Sequence, residues 1–161
     1  MCGIAGFIDT NHPACGLEPR CASMLSTIEH RGPDDHGLWM DAAHSIVLGH
    51  RRLAILDLSP SGHQPMSSTD NRFVIIFNGE IYNHLELRST LEGEGGAPQG
   101  GWRGHSDTET LLAGLSHWGI ERTLKAAVGM FAIAAWDRQT KTLTLARDSI
   151  GEKPLYYGWQ G

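Results

Sequence analysis

The chain opens Met1-Cys2-Gly3-Ile4-Ala5-Gly6-Phe7. If Met1 is trimmed, the new first residue is a cysteine that carries both a nucleophile and a base. A free thiol titrates near ~8.5 and a free α-amino group near ~8, so the amine can take the thiol's proton directly or through a water. Such a pair needs no histidine. The competing reading is an ordinary small residue at the start of a buried strand, because free cysteine packs as a small apolar side chain. The stretch from Ile4 to Ile8 reads as that strand, and Asn11-His12-Pro13 as the turn that ends it.

Downstream, Leu17, Cys21, Met24, Leu25 and Ile28 recur at helical spacing and describe one apolar helix face. Residues 37–40, 45–48, 52–58 and 73–77 are short, rich in β-branched or aromatic side chains, and bounded by Gly, Pro, Asn and Asp, which predicts successive strands. Asn83 with Glu86, and Ser106 with Glu109, are capping-box patterns that predict two helix starts; Leu111, Leu112, Leu115 and Trp118 give the second helix its core face. Residues 130–136 and 142–146, separated by Arg138-Gln139-Thr140, predict a core hairpin. The 93–104 segment, with six glycines and Pro98, has too little apolar surface to order itself and predicts a mobile surface loop. Together these predict an α+β domain of antiparallel sheets covered by helices.

At 161 residues the chain fits one domain with a substantial core. It is 40% apolar and 19% charged with no apolar run near the roughly 20 residues of a membrane span, which predicts a soluble protein. The formal charge of −5 and the lack of a Lys/Arg run argue against nucleic acid as a partner, and nothing argues for a membrane. Cys2, Cys15 and Cys21 make an odd count with no C-x-x-C pair, so neither a disulfide framework nor a cysteine zinc site is indicated. With no signal-peptide pattern, a reducing cytoplasm is the expected location.

Five patches carry chemistry: Cys2-Gly3-Ile4, His30-Arg31-Gly32-Pro33-Asp34, Gly49-His50-Arg51-Arg52-Leu53-Ala54-Ile55, Asn78-Gly79-Glu80-Ile81-Tyr82-Asn83 and Ser106-Asp107-Thr108-Glu109. In this order they resemble the glutaminase domain of class II glutamine amidotransferases, which are N-terminal nucleophile hydrolases. The resemblance runs from Cys2 to about Tyr157, apart from the glycine-rich loop. It implies a four-layer αββα sandwich and one glutaminase domain over residues 2–161. The Arg-Gly-Pro-Asp form and the Arg147-to-Tyr157 segment are similar to asparagine synthetases in particular, and we assign that segment a structural role.

The resemblance implies catalytic roles for Cys2 as nucleophile and for Asn78 and Gly79 as oxyanion donors through the side-chain amide and the backbone N–H. Asn-Gly is by itself a hairpin-turn signal, but a strand before it and a helix after it suit a two-residue hairpin poorly. Arg52 is implied as the partner of the substrate carboxylate; Arg51, next to it in an extended segment, points the other way. Asp107 is implied as the partner of the substrate ammonium, although a carboxylate at a helix start also suits the helix dipole. Glu80 is a further candidate beside that pocket, with a solvated surface acid as the alternative. Leu53 and Ile55 are implied to hold the nucleophile's end of the chain through their backbone. His30, Asp34, Asp35 and His36 cluster, but without established metal-ligand spacing, so no metal is expected.

Glutamine is thus the expected small-molecule partner, and a synthetase domain and a homodimer are the assemblies the resemblance allows. No cofactor is expected in this chain. ATP and Mg belong to a synthetase domain whose Ser-Gly-Gly-x-Asp-Ser type loop does not occur here, so a fragment truncated at its C-terminus is expected. The alternatives are a non-catalytic glutamine-binding or regulatory module, or an amidotransferase for another acceptor such as an exopolysaccharide precursor.

Overall fold

The computed structural model describes residues 1–10, 16–55 and 59–159. The predicted turn at Asn11-His12-Pro13, Cys15, the end of the predicted 52–58 strand and the final Gln160-Gly161 lie outside the described residues. Two-residue alternation sorts the remaining side chains into layers. In β3 (Ile46–Arg52), Ile46 and Leu48 face a second sheet, whereas Val47 faces a helix. Strands β1 (Gly3–Ile8) and β2 (Asp35–Asp41) flank β3 on either side, both antiparallel to it. The second sheet runs β4 (Met66–Ser67), β5 (Phe73–Ile81), β6 (Gly129–Asp137), β7 (Thr142–Arg147), again antiparallel throughout.

Helix α1 (Leu17–Thr27) lays Leu17 and Cys21 on Val47, outside the first sheet. Burial pushes the Cys21 thiol up to about 11, which makes it an inert core residue. Between the sheets, Ile46 and Leu48 meet Val74, Ile76, Ala134 and Trp136. On the far side, Phe73, Ile75, Phe77 and Ile81 of β5 pack under Leu87 of α2 (His84–Gly93) and Leu111, Leu112 and Leu115 of α3 (Asp107–Trp118). The order is therefore helix, sheet, sheet, helices: the αββα sandwich. A short α4 (Ile120–Ala126) adds Leu124 to the last layer; seven residues give too short a period to read from sequence. Among the described residues, no helix is long and apolar enough to cross a membrane.

Several local expectations change in the folded chain. The predicted strands at 45–48 and 52–58 share one strand that ends at Arg52, because β1 and β2 continue the ladder through Gly49-His50-Arg51, residues that look like a break. Strand β5 runs beyond 77 to Ile81, paired with β6 to its first residue, Gly129. Asn83 makes no cap. It braces the α4–β6 connection instead, donating to the Ala126 carbonyl at 3.0 Å and accepting from Val128 N–H at 2.9 Å. Ser106 does cap α3, accepting from Thr108 N–H at 3.1 Å, but Glu109 turns to Arg103 and Gly104 N–H rather than closing the box. The 93–104 segment is anchored at its far end: Trp102 donates to Glu92 at 2.7 Å and lies under the Arg88 guanidinium, which donates to Gly104 and Ser106 carbonyls. Counting apolar surface misses an order built from arginine, tryptophan and glutamate.

Asp148 ties β6 to the chain beyond β7. Its carboxylate accepts from Phe131 N–H at 3.1 Å, Glu152 N–H at 2.8 Å and Lys153 N–H at 3.0 Å. Burial works against the charge, but the backbone N–H groups of Lys153, Glu152, Phe131 and Gly151 outweigh it and hold the carboxyl at about 2, against an ordinary 3.8. A carboxyl lowered on folding stabilises the fold above its unfolded value and loses that contribution as pH falls through its folded value. The thermal midpoint of Asp148→Asn is therefore expected to lie below that of the parent at neutral pH, with the gap closing as pH falls from about 4 toward about 2. A gap that stays constant across that range, followed by circular dichroism, would contradict this role.

Candidate active site

Alternation in β1 sends Ile4 into the layer between the sheets, and Cys2, two residues earlier, takes the same face at the sheets' end. Leu53 N–H donates to Cys2 Sγ at 3.4 Å, and the thiol lies 3.6 Å from the Leu53 carbonyl. Arg31 Nε holds the Cys2 carbonyl at 3.1 Å. Met1 is present and lines the same space. The cavity here has a volume of ≈ 90 Å³, and Cys2, Arg52, Leu53, Ile55, Asn78, Gly79, Glu80 and Asp107 all line it. Residues scattered over more than a hundred positions thus meet at one place. Ile55 sits at the rim, 65% exposed, with no hydrogen bond to Cys2 among the described residues, so of the two backbones implied to hold Cys2 only Leu53 touches it.

The far wall is the edge of β5. Strand β4 pairs only with Val74 and Ile75, so from Phe77 onward the edge opposite β6 has no strand neighbour among the described residues. Phe77 N–H donates to Gln64 Oε1 at 2.7 Å, and Ile81 N–H donates to Asp107 Oδ2 at 2.9 Å. Gly79 lies midway, and strand parity turns its N–H to that same edge, where no described side chain accepts it. The Asn78 side chain projects to the inter-sheet face, where Val74 and Ile76 also point, and its amide makes no hydrogen bond with a described residue. Two donors therefore converge on the cavity that holds Cys2 Sγ. A Cβ on Gly79 would lie 2.2 Å from the Met130 carbonyl and 2.7 Å from Phe131 Cα, so glycine is needed here for the close approach of β6.

Opposite charges face the same cavity. Arg52 is 8% exposed and donates to the Ser59 carbonyl at 3.0 Å; its guanidinium crosses Gly62, where a Cβ would fall 2.0 Å from Nη2. Arg51 turns to the opposite face, donating to the Leu25 carbonyl at 3.2 Å and pairing with Glu29. Asp107 is 5% exposed, accepting from Ile81 N–H at 2.9 Å and Thr108 N–H at 2.8 Å. Burial pushes its carboxyl above the usual range, against the donation from Ile81; nearby Glu80 adds to the rise. A buried carboxylate in that condition favours a cation beside it.

The model of the glutamine amidotransferase domain matches residues 1–161. This chain belongs to that family. It is 42% identical over 160 residues to glutamine-hydrolysing asparagine synthetase 1 of Bacillus subtilis, covering 98% of this chain and 24% of that protein. Asparagine synthetase 3 of the same organism is 37% identical over 168 residues, covering 100% and 25%. An amidase of Gibberella zeae is 36% identical over 168 residues, covering 98% and 24%. The chain thus spans about a quarter of the length of these relatives.

Within this amidotransferase domain, four residues about the site escaped the sequence reading. Gln64 and Gly62 line the cavity from the 3-10 turn Pro60–Gly62 and the residues after it, a stretch with no periodicity to single them out. His50, on β3, reaches the Phe77 carbonyl. Lys153, 5% exposed, lines the cavity with Nζ 2.9 Å from Met1 Sδ, so the segment read as purely structural also delivers a cation to the site. In the histidine-rich patch, Asp35 pairs with His63 at 2.7 Å, and no group of three or more His, Cys, Asp or Glu side chains suited to a metal occurs among the described residues.

Gly79→Ala is expected to destabilise the domain by about 1–3 kcal/mol, because the new methyl group meets backbone rather than a side chain that can turn away. Thermal unfolding measures it, as a midpoint lower by several degrees. An unchanged midpoint would mean that β5 and β6 tolerate a wider spacing at this point.

Proposed function

We propose that this domain hydrolyses the side-chain amide of glutamine, with Cys2 as an N-terminal nucleophile released by removal of Met1. The observation that carries the reading is the single cavity into which Cys2 Sγ, the Asn78 amide, Arg52 and Asp107 all project. Free glutamine bears one carboxylate and one ammonium, and a pocket lined by the buried Arg52 on one side and the buried Asp107 on the other offers a partner to each. Arg52 would take the carboxylate and Asp107 the ammonium, with Glu80 beside it.

In the reaction so read, the Cys2 α-amino group takes the thiol proton and the sulfur bonds to the amide carbon. The resulting oxyanion is held by Asn78 and the Gly79 N–H, donors each worth roughly 3 kcal/mol in such sites. The protonated amine then gives its proton to the leaving nitrogen, the carbon–nitrogen bond breaks, and ammonia departs from a thioester. Water, deprotonated by the same amine, attacks the thioester; the carbon–sulfur bond breaks and glutamate leaves. The names of the Bacillus relatives support aspartate as the final acceptor of the ammonia, giving asparagine. ATP and Mg would serve that acceptor's activation in the part of the relatives that this chain does not span. We further infer a synthetase domain as the ammonia's recipient.

Three outcomes test this. Incubation with diazo-oxo-norleucine, a glutamine-analogue electrophile, is expected to give an intact mass lacking Met1 and carrying one adduct, mapped to Cys2; retained Met1 or an unlabelled Cys2 would defeat the nucleophile assignment. Arg52→Ala is expected to raise KM for glutamine at least tenfold, as the loss of a charged hydrogen bond of about 1.5–3 kcal/mol requires; normal affinity would defeat the pocket assignment. Asp107 must be ionised to hold an ammonium, and its carboxyl is raised. Glutamine KM is therefore expected to rise on acidification from a higher pH than an ordinary aspartate would give, and Asp107→Asn to remove that pH dependence while leaving KM high throughout.

A further inference from the structure

Both polar groups of the Phe77 backbone are held by buried side chains from elsewhere in the fold. Its N–H donates to Gln64 Oε1 at 2.7 Å, and its carbonyl accepts from His50 Nε2 at 3.0 Å. Because β4 stops pairing at Ile75, these two side chains stand where a neighbouring strand would otherwise be. The Phe77 carbonyl shares a rigid plane with the Asn78 N–H. Fixing that carbonyl therefore fixes the plane from which the Asn78 side chain and the Gly79 N–H are hung.

His50 is an unfavourable residue for its place unless it does this. It is fully buried on β3 between Ile4 and Gly37, on the inter-sheet face with Leu48, and its Nδ1 has no hydrogen-bond partner among the described residues. Since the Phe77 carbonyl can only accept, the ring proton sits on Nε2, and Nδ1 is left as a buried acceptor without a donor among the described residues. Burial brings the imidazole down to about 4, so near neutrality the ring is uncharged and holds this one tautomer. An aliphatic side chain would pack there without an orphaned nitrogen but would offer no donor. Gln64 extends the same bracing: its Nε2 donates to Thr108 Oγ1 at 3.3 Å, next to Asp107, and so links the β5 edge to the start of α3.

We propose that His50 and Gln64 are positioning residues that clamp the Phe77 peptide so that the Asn78 amide and the Gly79 N–H aim at the oxyanion formed on Cys2 attack. This rests on the reading of Asn78 and Gly79 as oxyanion donors. A clamp of this kind acts on the transition state more than on substrate binding, so its loss falls on kcat and spares KM.

The test is steady-state glutaminase kinetics on the full chain carrying His50→Leu, His50→Gln, Gln64→Met or Asn78→Ala, with thermal unfolding of each. His50→Leu and Gln64→Met are expected to lower kcat about tenfold to a hundredfold, the scale of a small misplacement of reacting groups, with KM within about twofold. His50→Gln, whose amide nitrogen can still donate to the Phe77 carbonyl, is expected to recover most of the rate. The clamp is overturned by a His50→Leu protein with the parent kcat, by a His50→Gln protein as slow as His50→Leu, or by losses that appear in KM alone. If His50→Leu does not fold, Gln64→Met and His50→Gln decide by the same criteria. An active parent whose Asn78→Ala variant keeps full kcat overturns the oxyanion reading itself, and the clamp with it; an Asn78→Ala loss without any loss at His50 or Gln64 overturns the clamp alone.

Discussion

A strand that loses its neighbour partway along must find other partners for its backbone, and β5 does so at the place where the chemistry is gathered. Beyond Ile75 its outer edge meets no strand among the described residues. Phe77 is satisfied by Gln64 and His50, and Ile81 by Asp107. Between them stands Gly79, whose N–H has no protein acceptor among the described residues. The cavity wall is in this sense a sheet edge with one N–H left open, and it is rigid because β6 secures the other edge along the whole strand.

The same geometry explains why opposite charges can stay buried a few residues from an apolar core. Arg52 projects from the end of β3 on the face that Ile46, Leu48 and His50 share, and Gly62 leaves room for its guanidinium. Asp107 stands at the start of α3, where two backbone N–H groups partly offset the burial of its charge. Arg52 is held by the Ser59 carbonyl on one side of the cavity and Asp107 by the Ile81 and Thr108 N–H groups on the other, so a cationic and an anionic side chain line the same space.

Much of this was legible in the residues themselves. The apolar face of α1, the β6–β7 hairpin and the Ser106 cap follow from period and capping chemistry, and the eight candidate site residues do line one cavity. The boundaries of β3 and β5 were not legible. In both, glycine and polar residues interrupt the apolar pattern, and only the partner strands carry the ladder across them. The Asn83 box failed because its amide found better-placed backbone groups after α4. Nothing local in the sequence marked His50, Gln64 or Lys153, since a buried histidine, glutamine or lysine is identifiable only once something is packed around it.

The sequence by itself determined the alternation that sorts side chains into layers, and the residue types able to supply a nucleophile, oxyanion donors and a charge pair. These depend on bonding and side-chain chemistry that travel with each residue. Only the tertiary structure decided which backbone groups would be left without a strand partner, which side chains would replace that partner, and that Lys153 would reach the cavity. Those outcomes depend on where separate segments meet, and the same local sequence is compatible with many such meetings until the two sheets close on each other and bring His50 to the Phe77 carbonyl.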